Sequence, residues 1–313
     1  MMGTFGKKLG AGWRRFEDGW FGAVDARVYA LLRIAFAIVA LLNLIDLWPH
    51  RAMFFSDAGM IDGAAMMAEE NGQLRFSVFN DLDSPGAVTW VFVIAALAMV
   101  CLGLGIWSRV MIILVFVWQL SYTYRAFPVI HGWDILLRIQ AFILLFSPLG
   151  PSLMALLKRG AGGAIRRSES LVPRYGLILI QIQLAVVYWQ TLWLKEVDGS
   201  WRNGEFISYF MLSVYSRFPS IAWARWEMAS ALLTYGTLII ELALPLLLWN
   251  RRTRWLGFAA GFALHFGILV TSKIWLFSLV VLVPYLAFLD GKDLDRLAAR
   301  FRGKAKSASS ELL

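Results

Sequence analysis

The feature that most constrains this chain is a series of long apolar blocks, at residues 28–48, 88–107, 109–124, 133–150, 175–194, 228–249, 254–271 and 275–289. A helix rising 1.5 Å per residue needs about 20 such residues to cross ~30 Å of hydrocarbon. Only helices and closed barrels satisfy their backbone polar groups there, and blocks this long and continuous select helices. Composition agrees: 59% of the 313 residues are hydrophobic and 16% charged, against about 45–50% and about 25% in soluble domains. The expected fold class is all-α, a polytopic integral membrane bundle of about eight transmembrane helices. Tryptophans at block ends (Trp48, Trp107, Trp193, Trp249 and Trp275) suit an interfacial belt.

The basic residues give the orientation. With the N-terminus cytoplasmic, 20 of the 30 Lys and Arg residues fall in inside segments, 8 in outside loops and two (Arg33 and Arg138) within spans. That bias predicts cytoplasmic N- and C-termini; the expected location is the cell membrane, the inner membrane of a bacterium. The net charge of +9 is then charge facing anionic lipid rather than a nucleic-acid surface. The sequence divides into an amphipathic cytoplasmic segment over 1–27, with an interfacial helix over 13–24, a membrane domain over 28–290, and a basic, disordered cytoplasmic tail over 291–313. The KRGAGGAIRR stretch at 158–167 reads as a flexible basic linker. The N-terminus lacks the pattern of a cleavable signal peptide. The single cysteine, Cys101, excludes an internal disulfide and cysteine-rich metal sites, and no metal is predicted.

Ionisable groups within spans are costly, about 2.5–3.5 kcal/mol each at the bilayer centre, so each one demands a reason. Arg33 lies near enough to the inner surface to snorkel. Asn43 and Asp46 are expected to bind backbone or water in the first outside loop. Asp134 and Arg138, four apart, suit an intrahelical pair. Glu241 sits four residues before Pro245, which frees its carbonyl and predicts a kink. His265 lies mid-span on the next helix. Gln181, Tyr188 and Lys195 are spaced by seven and share one helical stripe, with Gln183 and Gln190 on a second beside it. Lys195 thus crowns a polar face. An apolar pocket would favour its neutral amine, a base, whereas Glu196 and Asp198 nearby would hold it charged. The residues leave both readings open.

Several stretches in order, LLRIAFAIVALLNL, FFSDAGMI, SYTYRAFPVIHGWDILLRIQAFILLFSP, QIQLAVVYWQTLWLKEVDGSWRNG, IIELALPLLLWNRRTRWLGFAAGFALHFGI and LVPYLAFLD, resemble the horizontally transferred transmembrane (HTTM) family. That family includes the membrane domain of vitamin K-dependent gamma-carboxylase. The resemblance covers roughly residues 28–290. It implies that Lys195, ahead of the turn and the W-x-x-G of Trp201 and Gly204, matches the lysine that deprotonates a vitamin K hydroquinone. It also implies that Glu241 and His265 match the family's Glu–His pattern, and Asp134 and Arg138 its G-x-D-x-x-x-R. Lys195 is followed by Glu196, where the carboxylase carries paired lysines. The implied function is binding of a quinone, menaquinone or ubiquinone, or a similar isoprenoid lipid in an outward-opening cavity, with redox or lyase chemistry. Lys195, His265 and Glu241 would be catalytic, and Gln183, Tyr188, Asp134, Arg138 and Trp201 ligand-binding. The alternative is a non-catalytic lipid-binding protein, or a scaffold for an exported or periplasmic partner, using the aromatic loop 195–227.

Overall fold

The computed structural model describes residues 13, 16–61, 76–160 and 171–299. Lys7, Lys8, Arg14, Arg15, Arg166, Arg167 and the tail from residue 300 lie outside the described residues. The chain is mainly helical, and every apolar block coincides with helical structure. Five helices are long and apolar enough to cross a membrane: Ala26–Phe55, Pro85–Leu104, Tyr175–Glu196, Glu227–Trp249 and Arg254–Thr271. A sixth candidate is the pair Trp275–Phe288 and Gly291–Ala299, bent by 107°. The blocks that fall short have visible causes. Ser108–Arg125 ends in a polar turn, Gly132–Phe146 has only 15 residues, and the α-helix Trp275–Leu282 passes into a 3-10 segment, Val283–Phe288.

The chain forms two compact units. The first comprises Met1–Pro128, Arg138–Leu179 and Leu289–Leu313. It opens with a departure from expectation: residues 16–21 are helical, but the chain then extends as β1 (Ala23–Asp25), paired antiparallel with β2 (Leu171–Pro173). The interfacial helix expected over 13–24 therefore stops short, because its last residues find ladder partners. Asp25 caps α1 (Ala26–Leu47), accepting from the Arg27 N–H at 2.9 Å, and also pairs with the Arg27 side chain. Arg27 reaches Asp295 at 2.8 Å, on the helix Gly291–Ala299. That stretch of the tail is ordered helix, where disorder was expected. Likewise the helix Leu153–Gly160 takes in the first residues of the expected linker.

α1 packs against α2 (Pro85–Leu104), where the Cβ of Ala37 lies within 3.4 Å of the space a side chain on Gly103 would take. α2 turns into α3 (Ser108–Arg125) through Gly105 at φ +80°, with Gly105 N–H bonded to Leu102 O and Ile106 N–H to Cys101 O. This is a Schellman ending, which favours glycine. A Cβ on Gly105 would also lie 2.6 Å from Ser152 and 2.8 Å from the Arg33 guanidinium. Arg33 does not snorkel. It is fully buried and donates to the carbonyls of Leu149 (2.6 Å), Gly150 (3.2 Å) and Pro151 (3.0 Å). Asn43 is likewise turned inward, donating to the Tyr122 hydroxyl at 3.0 Å. Phe55, Phe79, Phe92 and Trp118 form an aromatic cluster at the other end of this unit.

The second unit comprises Val129–Leu137 and Ile180–Phe288. It contains most of α4 (Tyr175–Glu196), then α5 (Glu227–Trp249), α6 (Arg254–Thr271), α7 (Trp275–Leu282) and the 3-10 segment. Its core gathers Leu184, Tyr188, Leu244, Leu248, Val281, Tyr285 and Phe288. Glycines on α6 permit close approach: a Cβ on Gly257 would meet Leu248 at 3.1 Å. The segment between α4 and α5 is ordered. Ser230 and Thr234 on α5 accept from the backbone N–H groups of Ser208 and Ile207, and Ser230 donates to Gly204 O at 3.0 Å. The far end of the segment joins the end of α6 through Arg217 N–H to Thr271 O and Lys273 N–H to Tyr215 O.

Candidate functional site

Lys195 occupies the last turn of α4, and its ammonium group hydrogen-bonds both carboxylate oxygens of Glu241 on α5. The contact joins residues 46 apart in sequence, with side chains only 19% and 9% exposed. Neither acid adjacent in sequence takes part in this pair. Glu196 faces Arg202 at 3.6 Å on the surface, and Asp198 caps the short helix Gly199–Arg202. Trp201, on that short helix, covers the cation: Lys195 Nζ lies 4.6 Å from its ring centroid, a favourable cation–π distance. The buried indole stacks in turn on Phe206 with centroids 3.8 Å apart. The turn that presents Trp201 depends on Gly204 at φ +76°, a conformation glycine adopts without strain.

Two turns back along α4, about 10.5 Å by helix geometry, the Tyr188 hydroxyl sits between two partners. It is 2.7 Å from His265 Nε2 on α6 and 2.6 Å from the Tyr285 hydroxyl in the 3-10 segment. Tyr188, His265 and Tyr285 are all buried, at 3%, 2% and 3% exposure. A further two turns back, Gln181 donates to Ala287 O at 2.8 Å. The heptad stripe of Gln181, Tyr188 and Lys195 therefore points inward along its length, meeting α5 at Lys195, α6 and the 3-10 segment at Tyr188, and the 3-10 segment again at Gln181. Polar side-chain atoms of this unit with no partner among the described residues include His265 Nδ1, Gln181 Oε1 and Gln183 Oε1. Buried polar atoms are seldom left so, since each costs about 1–3 kcal/mol.

Lys195, Glu241 and Trp201 thus form one polar cluster of the second unit, and Tyr188, His265 and Tyr285 form another further back along α4. Gln183 lies on the neighbouring stripe and donates to Leu136 O at 3.3 Å, whereas Gln190 faces outward. Asp134 accepts from the His131 N–H at 2.7 Å as a helix cap in the second unit, while Arg138 belongs to the first, donating to Thr123 Oγ1 at 3.1 Å and lying over the Tyr124 ring. Capping satisfies a backbone donor that would otherwise be orphaned at the helix start.

Glu241 lies in a helix that runs without interruption from Glu227 through Pro245 to Trp249. Its carboxylate is turned to Lys195. Tyr285 and Gly261 are the participants that sequence reasoning missed. A hydroxyl-bearing ring inside the last apolar block was the available signal for Tyr285. Gly261 matters by its lack of a side chain, since a Cβ there would fall 2.1 Å from the Tyr285 hydroxyl.

Comparison with known proteins returns no match to any family model, any curated protein or any solved structure.

Proposed function

We propose that this is a multi-pass membrane protein of eight spans, with both termini on the cytoplasmic side of a bacterial inner membrane. In this reading Lys195, Glu241, Tyr188 and His265 form a quinone-binding and proton-handling site near the outer surface. The observation that carries it is the buried Lys195–Glu241 pair, made between separate helices and covered by Trp201. A bundle held together by packing has little use for such a pair, because apolar residues of similar volume serve stability as well or better.

The donor set fits a quinone. Trp201 and Phe206 supply flat apolar surface beside a cation, and His265 Nδ1 and Gln183 Oε1 are polar atoms with no partner among the described residues. When bound, the quinol supplies acidic hydroxyls and the quinone supplies carbonyl acceptors. The chain's own residues then divide the work. With its proton passed to Glu241, Lys195 Nζ is a neutral amine able to accept a proton; with the proton on Nζ, the ammonium group stabilises an adjacent oxyanion. Trp201 keeps water from the pair. The HTTM-like order of motifs supports the same assignment, including redox or lyase chemistry at this site.

The test uses protein purified in detergent, with bound lipids extracted and menaquinone titrated against wild type and Lys195→Ala. Saturable binding to wild type, weakened about tenfold or more by loss of the charge-assisted contact, is the expected result. Equal binding by both, or none by either, removes the reading. The alternative, a scaffold for an exported partner, draws on Tyr209, Tyr215 and Phe218, which stand exposed between α4 and α5. It predicts that substitutions there abolish function while Lys195→Ala does not.

A further inference from the structure

The Tyr285–Tyr188–His265 chain can run in two directions without gaining or losing a proton. In one, the Tyr285 hydroxyl donates to Tyr188, Tyr188 donates to His265 Nε2, and the imidazole proton resides on Nδ1. In the other, His265 Nε2–H donates to Tyr188, Tyr188 donates to Tyr285, and Nδ1 presents a lone pair. The contact distances of 2.7 Å and 2.6 Å accept either direction, since each hydroxyl can donate or accept and the neutral imidazole has two tautomers. Nδ1 is the end of the chain that changes character. It belongs to a side chain 2% exposed, yet it meets no partner among the described residues.

We propose that His265 Nδ1 is a ligand contact whose donor or acceptor role is set by this hydrogen-bond chain, so that one site recognises both oxidation states of the same ligand. Nδ1–H donates to a quinone carbonyl; the Nδ1 lone pair accepts from a quinol hydroxyl. Tyr285 is the positioning residue that makes the second state available. Without the Tyr285 oxygen, His265 Nε2 is the acceptor left to Tyr188 among the described residues, and this favours the imidazole with its proton on Nδ1. Gly261 holds the arrangement open, because a Cβ there would lie 2.1 Å from the Tyr285 hydroxyl and 2.6 Å from two ring carbons. The inference rests on the quinone reading above and deepens it.

The experiment uses the full chain in detergent, labelled with nitrogen-15 at its three histidines (His50, His131 and His265), with His265→Gln assigning the signal. The probes are a decyl benzoquinone and its chemically reduced quinol. His265 is expected to be protonated on Nδ1 with the quinone and on Nε2 with the quinol. Tyr285→Phe is expected to weaken quinol binding by about five- to tenfold, the worth of one hydrogen bond, while quinone binding stays within twofold. Gly261→Ala shows the same asymmetry if it folds, and Tyr285→Phe carries the test if it does not. Lys195-dependent binding of both probes with an unchanged His265 tautomer, or equal loss of both in Tyr285→Phe, overturns this inference and leaves the quinone reading standing. Failure of wild type to bind either probe removes both.

Discussion

Glu196 and Asp198 lie within three residues of Lys195, but consecutive residues on a helix point about 100° apart, so Glu196 faces away from the lysine's stripe. Asp198 is past the helix end and consumed by capping. The ammonium group is left to the carboxylate that helix packing brings to it. Removing one member of such a pair strands a buried charge, at about 3–5 kcal/mol, whereas replacing both with apolar groups is far less costly. Lys195→Met and Glu241→Leu are therefore each expected to lower stability, near the low end of that range because Lys195 keeps 19% exposure. The double variant should be more stable than either single one; thermal unfolding of the four proteins in detergent checks this. By contrast, Arg202→Ala breaks a pair that is 62% and 65% exposed. It should change stability by under about 0.5 kcal/mol in the same assay.

Among the elements, α6 illustrates how close packing distinguishes one glycine from another. Glycine inside a helix costs about 1 kcal/mol relative to alanine, so substitution gains that amount unless the new methyl group collides. Gly236 on α5 and Gly267 on α6 meet nothing within 4 Å, and alanine at either should raise the melting temperature. At Gly257 the neighbours are leucine side chains at 3.1 and 3.2 Å that can yield, giving a near-neutral result. At Gly261 the obstacle is a rigid ring held by hydrogen bonds, and alanine should destabilise by about 1–3 kcal/mol. Melting curves of the four single variants test this order. The same scale explains how much of the bundle was legible. Long apolar runs identify α1, α2, α4, α5 and α6 as membrane-length helices because hydrophobic length is a local property. The 3-10 winding of Val283–Phe288 was not legible, since that stretch is as apolar as the helix before it, whereas the bend after Phe288 falls at Asp290 and Gly291, where the apolar block ends.

For the whole molecule, the eight-span arrangement makes a direct prediction. In a Cys101→Ala background the chain has no other cysteine, so introduced thiols report sidedness. Cysteines at Glu205 and Lys273 should react with an impermeant maleimide on intact cells, and one at Arg251 should react only after permeabilisation. Labelling at Arg251 from outside would invert the topology and place Lys195 toward the cytoplasm.

What the amino-acid order determined by itself was the helical class, the apolar lengths and the stripe of Gln181, Tyr188 and Lys195. All of these follow from 3.6 residues per turn and from the cost of exposing backbone to hydrocarbon. The tertiary structure decided the partners: Glu241 rather than Glu196 for Lys195, His265 and Tyr285 together for Tyr188, and backbone carbonyls for Arg33. Periodicity states which face of a helix is polar, but which group meets that face depends on helix neighbours and crossing points. Those are settled by side-chain packing between segments far apart in sequence, 97 residues in the case of Tyr188 and Tyr285.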